Sequence, residues 1–161
     1  MKYFYDTEFL EDGHTINLIS IGIVAEDGRE YYAVNQDADW GRIALNDWLC
    51  ENVAPHLPPY SEWKPKAQIR DEVRAFLLHD GSPELWAWYA AYDHVALAQL
   101  FGTMMDLPEG VPMWTNDLRQ EVHRRGEVTL PAQTEGEHDA LADARHVSRM
   151  HAWVHNGLGE A

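Results

Sequence analysis

The alternation of apolar and polar residues along the chain predicts a sheet of five strands. The stretch KYFYDTEF, residues 2–9, is typical of a first strand. Residues 16–25 and 29–34 predict the two arms of a hairpin that turns at Glu-Asp-Gly. A buried strand is predicted at residues 85–90, and a short fifth strand just before Asn116.

Helices are predicted where apolar residues recur at three- and four-residue spacing, as they do at Ile69, Val73, Phe76 and Leu77. Five helices are predicted. In chain order, the first stops at Pro55, the second closes at Gly81 and the third follows the strand at 85–90. The fourth begins near Asn116, and the fifth ends at Gly157. Three consecutive strands followed by strand–helix alternation indicate the α/β class, with a mixed five-stranded sheet and helices on both faces.

The composition is that of an ordinary globular protein. At 161 residues the chain is predicted to be one domain, residues 1–161, large enough to bury a core. Its single cysteine, Cys50, excludes a disulfide within the chain and favours a reducing compartment, so we expect a cytoplasmic protein. The helical pattern around Cys50 predicts that this side chain is buried. No leader-like segment and no apolar run of ~20 residues is visible, so no membrane partner is expected.

The excess of acidic over basic residues indicates which kinds of molecule the protein can bind. With 27 Asp and Glu against 12 Lys and Arg, the formal net charge is -15. Proteins that bind nucleic acids usually carry a basic surface, so the charge alone favours a small-molecule enzyme or an acidic interaction domain. A nucleic-acid substrate is compatible with this charge if bound cations make the site locally positive.

Two acids, Asp6 and Glu8, interrupt the apolar run of the first strand. Residues two apart on a strand project from the same face, so the two carboxylates repel each other and suit a core poorly. Two interpretations follow. The face is solvated, or a cation binds there.

Three more candidate residues lie far along the chain. Asp93 falls where a buried strand gives way to a helix, at the sheet edge where α/β proteins bind ligands; the alternative is a simple acid of the first helical turn. His138 and Asp143 are five residues apart, which on an ideal helix places them about 140° out of phase. They converge if His138 lies in the loop before the helix and Asp143 projects from its second turn.

Convergence of four carboxylates is strongly unfavourable without a cation. Mg²⁺ and Mn²⁺ prefer carboxylate and water oxygens, and two such ions about 3.5–4 Å apart are a known arrangement for attack on a phosphodiester. A histidine can take the proton of the attacking water at neutral pH, a role that suits His138. The residues therefore predict a site for Mg²⁺ or Mn²⁺, two ions per site.

The motifs YDTEF, YDHVAL and HDALADA resemble, in order and spacing, those of the DEDDh superfamily of 3′→5′ exonucleases. The chain from Tyr3 to about Trp153 is similar, more narrowly, to the bacterial polyadenylate-specific 3′-exoribonucleases of the RNase AS type. The resemblance implies an RNase H-like fold and a homodimer. It also implies that the metal ligands are Asp6, Glu8, Asp93 and Asp143, and that the general base is His138.

The chain departs from the wider superfamily at two places. Many relatives have Asn four residues before the second-motif Asp, where this chain has Tyr89. Deoxynucleotide-processing relatives have Thr and Gly soon after the Glu, where this chain has Phe9 and Leu10. We predict substrate contacts from Phe9, Leu10 and Tyr92. Phe9 could stack on a terminal base, although a core position suits it equally.

The leading hypothesis is a 3′→5′ exoribonuclease that releases nucleoside 5′-monophosphates and prefers adenylate-rich ends. Its expected partners are single-stranded RNA or RNA 3′ overhangs. One alternative is a DNA proofreading or repair exonuclease, which would prefer mismatched DNA 3′ ends. The other is a non-catalytic RNase H-like binding module, which the presence of all five chemical residues argues against.

Overall fold

A computed structural model describes residues 1–126 and 128–156 and contains a mixed five-stranded sheet. The strands are β1 (Lys2–Glu11), β2 (Ile16–Ala25), β3 (Glu30–Val34), β4 (Glu84–Ala87) and β5 (Asn116–Asp117). Their order in the sheet is β3-β2-β1-β4-β5, with antiparallel pairing from β3 to β1 and parallel pairing from β1 to β5. The predicted α/β class and mixed sheet are confirmed, and the architecture is consistent with an RNase H-like fold.

The α-helices follow the predicted order along the chain. They are α1 (Trp40–Ile43), α2 (Asp47–Asn52), α3 (Lys66–Leu77), α4 (Ala91–Phe101), α5 (Leu118–Arg124) and α6 (Ala140–Asn156). Three 3₁₀ turns lie at Ala54–His56, Tyr60–Glu62 and Met104–Asp106. The predicted helix end at Gly157 lies outside the described residues. Within 1–126 and 128–156, no helix combines the length and apolar character needed to span a membrane.

Alternate side chains of β1 divide the core between the two faces of the sheet. Tyr3 and Tyr5 belong to the cluster that contains the apolar stripes of α3 and α4. Phe4, between them, points the other way and packs with residues of β4, α5 and α6. Because side chains alternate along a strand, Asp6 lies on the face covered by α6 and Thr7 on the face covered by α4. Helices therefore cover both faces, as predicted.

Two predicted boundaries are wrong by a few residues, each for a local reason. The strand predicted at 85–90 ends at Ala87, because Tyr89 has a left-handed backbone with φ 56° that no strand accommodates. The helix predicted from Asn116 begins at Leu118, because residues 116–117 pair with β4 and the Asp117 carboxylate caps the helix.

The predicted burial of Cys50 is also wrong. Cys50 is exposed, and its neighbour Leu49 is the buried residue of α2, only 4% exposed. Helix α2 spans six residues, too few for a periodic pattern to fix which side faces the core.

Gly22 allows the start of α6 to approach the sheet. It pairs with Asp6 across the β1–β2 ladder, and a Cβ at this position would overlap the backbone of Ala140 and Leu141. Any side chain would push the helix away from β2. Since Asp143 lies in the first turn of this helix, the approach at Gly22 sets how near Asp143 comes to the acids of β1.

We expect Gly22→Ala to lower the free energy of unfolding by about 1–3 kcal/mol, the usual cost of overpacking. Urea unfolding measures this effect. Gly41→Ala is the matched control, because its added Cβ would meet only an ordinary contact with the Asp39 side chain. Wild-type stability in Gly22→Ala would contradict this account of the helix position.

Candidate active site

The first strand presents its two acids at the edge of a cleft. Asp6 and Glu8 both line this cleft, and Glu8 is only 8% exposed. The β1–β2 pairing shifts register between Glu8 and Phe9, so the regular ladder is interrupted directly after the second acid. An irregularity of this kind redirects side chains at a sheet edge. A buried Glu8 does not fit the interpretation that this face of β1 is exposed to solvent.

Asp93 reaches the same cleft from the first turn of α4. It is only 5% exposed, and its Oδ1 accepts two hydrogen bonds from Thr7, at 2.9 Å from the backbone N and 2.7 Å from Oγ1. Asp93 is thus an acid of the first helical turn that is also bonded to β1. The parallel β1–β4 pairing places the start of α4 beside the C-terminal half of β1.

His138 and Asp143 converge by the route that the sequence requires. His138 lies in the segment before α6, with a left-handed φ of 66°, and its backbone N–H donates to Asp143 Oδ2 at 3.0 Å. Asp143 lies in the first turn of α6, not the predicted second turn. Gln133 Nε2 donates to its other oxygen, Oδ1, at 2.5 Å.

All five predicted chemical residues line one cavity of about 400 Å³. Its walls are Asp6, Thr7, Glu8, Phe9, Trp48, Trp88, Tyr89, Tyr92, Asp93, His138 and Asp143. A neighbouring cavity of about 570 Å³, beneath residues 130–133, shares Asp6, Trp88, His138 and Asp143 with it. Asp6 and Asp143 therefore lie where the two cavities meet.

Burial raises the pKa of each of the four acids in the cleft. Burial is the main cause for Asp6, whose pKa lies well above its ordinary value, and repulsion from Asp93, Glu8 and Asp143 adds to it. The same effects raise the pKa of Glu8 to about 7. Burial raises the pKa of Asp93 to about 6, although the hydrogen bonds from Thr7 act in the opposite direction. The pKa of Asp143 is raised as well, mainly by burial.

These donors fit a hard divalent cation. A carboxylate oxygen of Glu8 and one of Asp143 lie within 4.8 Å of each other, close enough to share one ion, and a ring nitrogen of His138 lies within the same distance of both. Carboxylate oxygens are the ligands that Mg²⁺ and Mn²⁺ prefer, and a cation would relieve the repulsion that raises the pKa of Asp6 and Glu8.

The three predicted substrate contacts differ in position. Phe9 and Tyr92 line the cleft and stack on each other with ring centroids 5.8 Å apart. Leu10 does not line it; its side chain is 6% exposed and packs in a separate cluster with Ile19 and Leu49. Neighbouring side chains of a strand project to opposite faces, so Leu10 points away from Phe9. The register shift after Glu8 leaves Ile19 of β2 without a partner in the ladder, and Ile19 packs in the same cluster as Leu10.

Several residues around the acids were not predicted as site residues, among them Trp48 of the cleft and Gln133 of the neighbouring cavity. Trp48 of α2 packs edge-on against His138, with ring centroids 4.8 Å apart. Gln133 bonds Asp143 from the segment before α6. Both belong to segments whose sequence shows no motif, so only the folded chain reveals them. Tyr89, which the sequence analysis noted as a departure, lines the cleft and is 62% exposed.

Comparison with known proteins defines the class of protein. Relatives in Mycobacterium tuberculosis include "3'-5' exoribonuclease Rv2179c" of strain H37Rv and "3'-5' exoribonuclease MT2234.1" of strain CDC 1551. Each is 54% identical over 149 residues, which cover 90% of this chain and 88% of the relative. The protein is therefore a 3′–5′ exoribonuclease. The family described as "3'-5' exoribonuclease Rv2179c-like domain" matches residues 1–154, and the chain belongs to this family.

The raised pKa of Glu8 predicts a pH-dependent stability in metal-free protein. Between its ordinary value of 4.5 and about 7, folded Glu8 binds more protons than unfolded Glu8, so its contribution to stability falls as pH rises through this window. Glu8→Gln should thus stabilise the protein over wild type by an amount that grows from pH 5 to pH 8, on the order of 1–3 kcal/mol in total.

Thermal unfolding in EDTA measures this difference. The comparison uses the two proteins at each pH, because buried His151, whose pKa is lowered to about 4, titrates in the opposite sense in both. Glu62→Gln, at an exposed acid outside the cleft, is the control. A Glu8→Gln difference that is constant or shrinks with rising pH would refute the assigned environment of Glu8.

Proposed function

We propose that this exoribonuclease uses two divalent metal ions, Mg²⁺ or Mn²⁺, held by Asp6, Glu8, Asp93 and Asp143. The observation that carries the proposal is the convergence of these four acids and His138 in one cleft. When bound, the ions would neutralise the scissile phosphate and lower the pKa of a water molecule that attacks it. The proposal places the chain in the DEDDh branch of RNase H-like exonucleases, as its three motifs suggest.

Within this scheme, His138 is the general base that takes the proton of the attacking water. From its place before α6, His138 lines both cavities. Trp48 packs against one edge of the ring and limits its rotation. The Asp143 carboxylate, bonded to the His138 backbone, couples the positions of base and metal ligand.

The aromatic walls of the cleft support the binding of a nucleobase. Phe9, Tyr89 and Tyr92 offer flat surfaces, and base–aromatic stacking is worth about 1–3 kcal/mol per base. We infer that the 3′-terminal nucleotide lies against these rings and leaves as a nucleoside 5′-monophosphate. Stacking accepts any base, so the proposed preference for adenylate-rich RNA ends rests on the similarity to the polyadenylate-specific exoribonucleases.

Other expectations stay predictions. The homodimer is expected from the same similarity. The single domain over residues 1–161 is expected from the length of the chain, and the cytoplasmic location is expected because Cys50 is the single cysteine. The DNA-exonuclease alternative is disfavoured because the relatives are named exoribonucleases. The filled chemical positions disfavour a non-catalytic module.

We expect wild-type protein with Mn²⁺ to shorten labelled poly(A) faster than poly(U), and single-stranded DNA slowest of all. His138→Ala should lower kcat on poly(A) by about 10²–10⁴, because a general base contributes that much, while Mn²⁺ affinity stays near wild type. Gel analysis of the products, with nucleoside monophosphate identified by chromatography, measures both effects.

The control for His138→Ala is His79→Ala, which removes an exposed histidine beyond the end of α3, outside the cleft. Equal rates on all three polymers would end the claim of adenylate preference. Full activity in His138→Ala would show that another group takes the proton.

A further inference from the structure

Thr7, between the two acids of β1, bonds a third acid on the opposite face of the sheet. Its side chain points toward α4, and the residue is only 4% exposed. Its backbone N–H and its hydroxyl both donate to Asp93, and both bonds end on the same oxygen, Oδ1. Two donors that converge on one carboxylate oxygen fix the position of that oxygen and restrict the side-chain rotamer.

Both Thr7 bonds end on Oδ1 of Asp93, so neither of them occupies Oδ2, and that oxygen can face the cleft that Asp6 and Glu8 line. A carboxylate that is held through one oxygen can present the other oxygen to a cation. Outer hydrogen bonds of this kind typically change metal affinity or activity by about 10–100-fold when they are removed.

A separate hydrogen-bonded chain attaches α4 to β1. Tyr5 Oη lies 2.6 Å from Thr115 Oγ1, and His94 Nδ1 lies 3.0 Å from the same hydroxyl. Apolar packing of Leu97 and Leu100 against Tyr3 and Tyr5 adds to it. The helix position is thus supported without the Thr7 hydroxyl, whose bond bears on the orientation of the Asp93 carboxylate.

We propose that Thr7 is a positioning residue: it orients the Asp93 carboxylate so that Oδ2 is directed at a divalent cation in the cleft. The inference rests on the proposed function, in which Asp93 is a metal ligand. It gives the middle residue of the Asp-Thr-Glu motif a role of its own. The side chains of the two acids project from the face of the sheet that α6 covers, so the side chain of the residue between them projects toward α4.

The test measures Mn²⁺ binding to the full chain by calorimetry and by electron paramagnetic resonance. Thr7→Val keeps the shape of the side chain and removes the hydroxyl donor, while the bond from the backbone N–H to Asp93 remains. We expect it to weaken Mn²⁺ binding ~10–100-fold and, at saturating Mn²⁺, to lower kcat more than it changes KM for RNA. Thr7→Ser keeps the hydroxyl and should bind Mn²⁺ within about threefold of wild type.

Thr103→Val is a closely matched control. Thr103 N and Oγ1 both donate to one oxygen of Asp106, each at 2.7 Å, in an exposed capping box outside the cleft. The same substitution therefore removes the same kind of bond without involving the proposed metal ligands, and Mn²⁺ affinity should not change.

The outcomes separate the two proposals. Absence of Mn²⁺ binding in wild type would refute the metal-dependent function itself. Binding in wild type, with Thr7→Val within about twofold of it or Thr7→Ser as weak as Thr7→Val, would overturn the role of Thr7 alone. Circular dichroism checks each fold. If Thr7→Val does not fold, Thr7→Ala removes the same donor, and failure of both to fold would overturn the positioning role in favour of a structural one.

Discussion

The repulsion among four carboxylates in a partly buried cleft is the constraint on which the structure depends. A buried carboxylate loses its hydration, and each ionised neighbour adds to the cost. Glu8 and Asp93, 8% and 5% exposed, carry much of this cost, and their pKa values rise to about 7 and about 6. A protein that needed only stability would place apolar residues here. The proposed cations would offset this cost, and with them the net charge of -15 is compatible with an RNA substrate.

Several locally unfavourable backbone features surround the cluster of acids. Tyr89 and His138 have left-handed backbones, which cost of order 1–3 kcal/mol when the residue is not glycine. Gly22 has no side chain to pack in mid-strand, and the absence of a Cβ allows α6 to approach Asp6. All three lie beside an acid of the cleft or in its wall. Strain of this kind persists where the rest of the fold holds the segment in place.

Much of this arrangement follows from the sequence, because it depends on periodicity and on the order of elements. Alternation in β1 placed Asp6 and Glu8 on one face, and the strand-to-helix change placed Asp93 at the same sheet edge. The phase difference between His138 and Asp143 required the loop position that the structure shows.

The remaining features depend on contacts that no local pattern encodes. The core cluster around Leu10 includes Ile19, the extra residue of β2 at the register shift, and Trp48 reaches His138 from a short helix that carries no motif. The bond from Gln133 to Asp143 depends on the path of an irregular segment. Thr7 was visible in the sequence, but its bond to Asp93 joins residues 86 positions apart. Such contacts follow only from the folded chain.

The most direct test of the central claim is the number of protons released when metal-free protein binds Mn²⁺ at pH 6.5. Calorimetry in two buffers of different ionisation enthalpy gives this number together with the stoichiometry. If cations relieve a repulsion that keeps buried acids protonated, two ions should bind per chain with release of about one proton or more. Failure to bind, or binding without proton release, would contradict the account.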